Sequence, residues 1–377
     1  MYYLASLTLK HFRNYRSQFV EFEPGLNIFS GLNAQGKTNL LEAIYYLSVT
    51  RSFRTKRDQE LTQIGEQFFF LKGCFWKDEI RHNVQISYQR NSPFRIYCNN
   101  EKVERFLHIR EFPVVVFSPD DLMIIRDSPA IRRRFLNLEI SKFKGVYFQN
   151  LTEYQRVLLQ RNRLLKEQKY SSQLDKLIEP WDQALSSLGT KIIHDRLEMI
   201  ADLETEARFF FHRMYGEEKV LSLKYQSNIS FSDKPDETRI GFYKTLSERR
   251  RFELKRGSTM YGPHLDDLKI LINGEDTRLY SSQGQKRTAA LALKMGEAMI
   301  LKGKTGLDPI ILLDDVFSEF DRVRRESLLF FLKENRGQCF LTTAVNIDGL
   351  LALTEKDYKI ITVDEGRIIS ETGGSSC

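Results

Sequence analysis

Cysteine is scarce in this sequence: four stand among 377 residues, with no CxxC pair and no histidine at metal-ligand spacing. A structural zinc site and a disulfide framework are therefore not expected, and reduced thiols are. Long apolar runs are missing too. "FPVVVF" (112–117) and "PIILLDD" (309–315) fall far short of the ~20 residues that a membrane span requires, so no membrane association is expected. "MYYLASLTLKHFRNY" has no basic start before a continuous apolar stretch, so no signal peptide is expected and a cytoplasmic location is. Internal repeats and low-complexity segments are absent, and apolar residues at 41% are enough for a real core.

Charge is present but uneven. The net excess is +7, concentrated in "RSFRTKR" (51–57), "IRRRF" (131–135) and "SERRRFELKR" (247–256). Such clusters suit a polyanionic partner, and solvated helix faces produce the same runs. Arg51, Arg54, Arg57, Arg132, Arg133 and Arg134 are the candidate contacts to such a partner, nucleic acid among the possibilities.

The apolar pattern changes twice along the chain. The first 30 residues alternate as strands, a helix opens at Lys37, and short strands return from "FFFLKGCFW" (68–76) to "PVVVFS" (113–118). From about Ser128 to Tyr215 glycine is rare and helix dominates. Tyr147, Leu151, Tyr154 and Leu158 form one stripe, and Trp181, Leu185, Leu188 and Ile192 another. Pro180 suits the start of the second helix, and "KYSSQ" (169–173) the joint of a short hairpin. Stripes of two or three heptads exclude a long coiled coil. Strands resume at "KVLSLKYQ" (219–226) and "DDLKILINGED" (266–276), the latter with an Asn-Gly turn. A helix from Ala289 to Ile300, buried strands at "PIILLDD" and "QCFLTTA" (338–344), and a closing hairpin at "YKIITVDEGRII" (358–369) follow. The last six residues read as a frayed tail. This predicts an α/β fold whose sheet lobe is built from both termini, 1–120 and 256–377, around a mainly helical insertion at 121–255.

"GLNAQGKT", Gly31, Leu32, Asn33, Ala34, Gln35, Gly36, Lys37 and Thr38, fits the phosphate-loop pattern G-x-x-x-x-G-K-[ST], and Asn39 follows it. Glycines let the chain wrap so that backbone N–H groups face the phosphates. The helix N-terminus adds positive charge, Lys37 reaches the β and γ oxygens, and the Thr38 hydroxyl ligates Mg²⁺. "IILLDD" supplies the second metal-side group, Asp314, and leaves Asp315 to orient or deprotonate the attacking water. No N-K-x-D segment marks a guanine site, so ATP is the expected nucleotide.

"SSQGQ" (281–285) opens the helix that runs into "IILLDD", and "SEFD" (318–321) follows that strand. This order resembles the ABC-type ATPases, with a signature S-x-G-Q, a Walker B strand and a D-loop. "LTLKHFRNY" (7–15) narrows the likeness to the SMC, Rad50 and RecF branch. "TRSFRT" (50–55), "VVVFSPDDL" (114–122), "SPAIRRRFLN" (128–137), "YGPHLDDL" (261–268) and "SSQGQKRTAALALK" (281–294) resemble the RecF family in particular, over nearly the whole chain.

The resemblance implies an ATP-closed homodimer on double-stranded or gapped DNA, slow DNA-stimulated hydrolysis, and a role in recombinational repair beside RecR and RecO. It also implies that Ser282, Gly284 and Gln285 act on the ATP held by a second subunit, and that Ser318 and Asp321 form the D-loop. Several features depart from the ABC pattern. The Walker B acids are Asp-Asp rather than Asp-Glu, and Thr342 or Thr343 occupies the place of the switch histidine. Ser118 to Asp121 is the nearest candidate for the lobe-connecting glutamine, and Leu265 departs from the RecF-like pattern, which generally carries arginine there. His264 is open to a structural or a functional reading. A transporter ATPase and a passive DNA scaffold with a structural ATP site are the alternatives.

Overall fold

The computed structural model describes residues 1–167, 174–344 and 358–374. Strands β1 (Tyr2–Phe12) and β2 (Tyr15–Glu21) form a hairpin. In β1 the buried set Tyr2, Leu4, Leu7, Leu9 and Phe12 skips a residue after Leu4, where a register shift against the neighbouring strand resets the alternation. Strand β3 (Leu26–Ser30) leads through Gly31–Gly36 into α1 (Lys37–Val49). Strands β4 (Phe68–Lys77), β5 (Ile80–Gln89), β6 (Arg95–Cys98) and β7 (Glu101–Lys102) complete an antiparallel sheet ordered β2-β1-β4-β5-β6-β7. Helix α2 (Arg105–Glu111) and strand β8 (Val114–Phe117) follow.

The middle is helical: α3 (Leu122–Arg126), α4 (Pro129–Phe143), α5 (Gly145–Glu167) and α6 (Leu174–Tyr215). Both expected stripes face inward, with Tyr147, Tyr154, Leu185 and Ile192 buried. The joint at "KYSSQ" lies outside the described residues. Pro180 does not start α6 but sits inside it. The turn before it is held by tertiary contacts: Ile178 is buried, and Asp175 and Glu179 bind Arg250 and Tyr243. At 42 residues α6 is also longer than its sequence stripes suggested. It packs on α5 and on several elements that follow it, so it stays in the body of the molecule rather than projecting as a coiled coil.

Strand β9 (Leu221–Gln226), α7 (Pro235–Arg256), β10 (Asp267–Ile272) and β11 (Glu275–Asp276) come next. The three strands form a sheet ordered β11-β10-β9, so a pairing crosses residue 256. Asn273 and Gly274, at φ 52° and 83°, make the tight turn into β11. The chain continues through α8 (Thr277–Tyr280), α9 (Gln283–Thr305), β12 (Ile310–Asp314), α10 (Val316–Glu319), α11 (Arg322–Glu334) and β13 (Cys339–Thr343) to β14 (Tyr358–Asp364) and β15 (Arg367–Gly374). Thr372 to Gly374, expected to fray, extend β15 because each pairs with β14.

The second large sheet is ordered β15-β14-β3-β13-β12-β8, parallel except for β15. Strands β8, β12 and β13 are buried at every residue because both faces of the sheet are covered. Alternate residues serve different cores. Ile310 and Leu312 face α1 and the antiparallel sheet, whereas Ile311 and Leu313 face the core shared with α4, α6 and α9. Strands β3 and β12 therefore end on one rim, where parallel sheets bind ligands. No helix among the described residues is long and apolar enough to cross a membrane.

Candidate functional site

The loop after β3 wraps with positive φ at Gly31 (144°), Ala34 (66°) and Gly36 (117°). A Cβ on Gly31 would lie 2.3 Å from the Val363 carbonyl oxygen, and one on Gly36 2.7 Å from Asn14 Nδ2. Only glycine fits either place. Lys37 Nζ donates to the carbonyls of Gly31 and Leu32, each at 2.6 Å, which holds the ammonium inside the wrap. Burial lowers its pKa, while Asp315 and Asp314 favour the charged form. Leu32, Asn33 and Ala34 are exposed at the tip.

Residues that sequence reasoning gave no role brace this loop. Asn14 donates to the Gln35 carbonyl (3.0 Å) and accepts from Asn39 Nδ2 (2.8 Å), and the Tyr15 hydroxyl donates to the Gly36 carbonyl (3.1 Å). The turn between β14 and β15 closes the other side: Glu365 N donates to Gln35 Oε1 and Gly366 N to the Gln35 carbonyl. Arg13 grips buried Glu42 of α1 through two bonds of 2.8 Å, and Ser52 donates to the same carboxylate. The available signal was "HFRNY" itself, whose polar residues cluster at a strand end beside Arg13, a non-glycine residue at positive φ.

Thr38 Oγ1 donates to Asp314 Oδ1 at 2.7 Å. The pairs β12 with β13 and β13 with β3 put Thr342 between the two loops, and its hydroxyl donates to Asp314 Oδ1 at 3.0 Å. Burial raises the Asp314 pKa, and the Thr38 and Thr342 hydroxyls oppose that shift. Asp315 turns into the left-handed region (φ 51°) and is exposed. A hydroxyl and a carboxylate on one spot form a hard-oxygen pair that fits Mg²⁺, whose other ligands come from phosphate and water. Thr38 and Asp314 would hold that ion, which would draw charge from the phosphates.

Ser282 caps α9 and exchanges bonds with Gln285 in a capping box. Asp321 caps α11 through Arg324 N. The structure joins the two segments through Arg324, which donates to the Gly284 carbonyl (2.6 Å) and to Thr288 Oγ1 (2.8 Å) and pairs with Asp321. Ser318 lies in α10, and its side chain lies outside the described set.

The basic clusters divide. Arg132 is buried and forms a two-bond ion pair with Asp267 (2.7 and 3.0 Å), so it is a structural residue and not a phosphate contact. Arg250 of the third cluster likewise pairs with Asp175 and Asp182. Arg133 donates to the Asp266 carbonyl but, with Arg51, Arg54, Lys56 and Arg134, also lines a cleft of about 630 Å³. The Arg51 pKa is lowered, first by the protein packed around it and then by Arg105 and Arg134. An anion there would relieve that crowding. Arg54 additionally bonds Asn39 (2.9 Å), and Arg57 is exposed.

His264 resolves to a structural role. Its Nδ1 lies 2.8 Å from the Tyr154 hydroxyl and its Nε2 3.2 Å from the Thr259 carbonyl, and burial pushes its pKa down to about 4. Ser118 and Asp121 bond each other in a cap (Ser118 N to Asp121 Oδ2, 2.7 Å), and both border the cleft that Arg51 and Arg54 line.

A phosphate loop on a parallel strand, an acid pair on a strand of the same sheet and a capped signature helix tied to a D-loop define an ABC-type ATPase head. Residues 3–368 match the family described as RecF/RecN/SMC N terminal domain. The chain is 36% identical over 369 residues to the DNA replication and repair protein RecF of Halalkalibacterium halodurans, covering 97% of this chain and 99% of that one. It is 38% identical to the protein of the same name from Halothermothrix orenii, covering 97% and 98%. The solved structure of the recombination mediator protein RecF with ATP superposes with a TM-score of 0.89 at 35% identity, covering 98% of this chain and 99% of that one. An Smc head domain from Pyrococcus furiosus shares the fold alone, with a TM-score of 0.55 at 16% identity. The chain belongs to the RecF family.

Proposed function

We propose that this chain is a cytoplasmic ATP-driven DNA-binding switch of replication and recombinational repair. ATP closes two copies on duplex or gapped DNA, and slow, DNA-stimulated hydrolysis releases them. The bound interval assists recombinase loading beside RecR and RecO, a role supported by the relatives' names and by the RecFOR pathway named for the solved neighbour. The observation that carries the ATPase reading is the Thr38–Asp314 bond beside a lysine held inside a glycine wrap.

The chemistry follows from these groups. Loop N–H groups and Lys37 take the charge of the β and γ phosphates. Asp315, the candidate base, would take the proton of the attacking water. Ser282, exposed at the N-terminus of a 23-residue helix, is free to meet a phosphate held by a second copy. The ATPase lobe would be 1–120 with 256–377 and the helical lobe 121–255, the two joined across residue 256 by the β9–β10 pairing. The transporter alternative loses support, because the relatives are named replication and repair proteins.

Lys37→Met tests the reading. Turnover and ATP-dependent retention on duplex DNA should each fall by about 100-fold or more. Wild-type turnover by a folded Lys37→Met protein would overturn it. Tight ATP binding without turnover in the unsubstituted protein would favour the scaffold alternative.

A further inference from the structure

Thr342 sits at one register position of the parallel sheet, opposite Asp314 on β12 and opposite Phe29 on β3. It is buried at 2% exposure. Its hydroxyl has one proton and two lone pairs, and both capacities are used. The proton goes to Asp314 Oδ1 at 3.0 Å, and a lone pair accepts the Asp315 amide N–H at 2.9 Å. Thr38 Oγ1 meets the same Asp314 oxygen, so two hydroxyls converge on one carboxylate atom.

The Asp315 amide matters because of where the backbone goes next. Asp315 has φ 51° and ψ 23°, a left-handed conformation that is unfavourable for a non-glycine residue. That turn sends consecutive acids different ways: Asp314 is buried toward Thr38, and Asp315 is exposed. A left-handed residue at the end of a strand has an N–H that the sheet ladder no longer serves. Thr342 serves it from the adjacent strand.

We propose that Thr342 is a positioning residue for hydrolysis, whose single hydroxyl fixes the Asp314 carboxylate and the turn at Asp315 relative to one another. The inference rests on the ATPase reading above. Thr342 acts through its bonds to Asp314 and Asp315: it sets the spacing between the acid that would hold the metal and the acid that would take the proton. Valine has the same shape without the hydroxyl, and serine keeps the hydroxyl without the methyl. The two substitutions therefore separate bonding from packing.

The experiment compares the unsubstituted protein with Thr342→Val and Thr342→Ser. In Thr342→Val, kcat should fall about 10- to 100-fold while KM for ATP stays within about twofold. In Thr342→Ser, kcat should stay within about threefold of the starting value. Amide hydrogen exchange supplies a readout apart from turnover: the Asp315 N–H should exchange faster in Thr342→Val and unchanged in Thr342→Ser. Should Thr342→Val not fold, Thr342→Ala carries the same expectations. Unchanged kcat in the valine variant, equal damage in both variants, or a loss confined to KM would each overturn the proposal. Absence of hydrolysis in the unsubstituted protein would instead overturn the ATPase reading on which it rests.

Discussion

Thr38 Oγ1 and Asp314 Oδ1, 276 residues apart in the chain, lie 2.7 Å apart in the fold. The bond joins the first turn of α1 to the end of β12 and predicts different roles for the two acids. Asp314→Asn should weaken Mg²⁺-dependent ATP binding by about 10-fold or more, because a neutral amide offers the metal less charge. Asp315→Asn should leave that binding within about twofold and slow turnover at least about 100-fold. Filter binding with and without Mg²⁺ checks the first, single-turnover hydrolysis the second. Dissociation of Asp315→Asn from DNA in ATP as fast as that of the unsubstituted protein would show that hydrolysis does not time release.

The loop glycines should not tolerate a side chain. Gly36→Ala puts a methyl 2.7 Å from Asn14 Nδ2 and 3.0 Å from the Tyr15 hydroxyl, at φ 117°. Strain of about 1–3 kcal/mol should appear as a loss of about 10-fold or more in ATP affinity. Asn14→Ala in the same background should recover part of the affinity by vacating the space. Equilibrium titration of a fluorescent ATP analogue decides between the two.

The arginines of residues 131–135 should behave differently from those of 51–57. Arg132→Ala leaves Asp267 buried without its partner and should cost about 3–5 kcal/mol of stability. Arg57→Ala, at an exposed site, should cost under about 0.5 kcal/mol. Neutralising Arg51, Arg54, Arg57 and Arg134 should lower the slope of log affinity for DNA against log salt by about one per lost phosphate contact. An unchanged slope would return these residues to the reading of a solvated face.

Complementation tests whether the signature serves a second copy. Ser282→Arg leaves the protein's own phosphate loop intact, and Lys37→Met leaves its own signature intact. Each alone should be inactive. A mixed dimer carries one whole composite site, so turnover should return on mixing and scale with mixed-dimer concentration. A dilute monomer that hydrolyses at the full rate and loses it on Ser282→Arg would place the signature in cis.

Buried histidines give stability a pH dependence. Burial lowers both His108 and His264 from an ordinary 6.5 to about 4. Between those values the unfolded chain binds protons that the folded one does not, so stability falls as pH drops from 6.5 toward 4. Each histidine should account for about 3 kcal/mol of that fall. The double variant His108→Gln, His264→Gln should show a shallower decline over this window in urea unfolding, whatever its stability at pH 7. Equal slopes would mean that the two rings are already accessible to protons.

The sequence by itself determined the elements whose signal is local. The helix start at Lys37, the buried runs of β8, β12 and β13 and the Asn-Gly turn were legible because glycine, asparagine and apolar periodicity act over a few residues. The phosphate loop and the acid pair were legible for the same reason, each being a contiguous string with a chemical requirement. Tertiary structure alone decided which arginine is buried: Arg132 and Arg133 are neighbours in the chain, yet only Arg132 faces Asp267, 135 positions away. It also decided the bonds of Asn14, Thr342 and Arg324, each of which depends on a partner that strand pairing or helix packing supplies. The fate of Pro180 belongs here too, since contacts from Tyr243 and Arg250 hold the helix turn before it. Local propensity is a matter of tenths of a kcal/mol for ordinary residues and about 3 for proline, an unserved N–H costs about 1–3, and an unpaired buried charge about 3–5. Where the two compete, the fold decides.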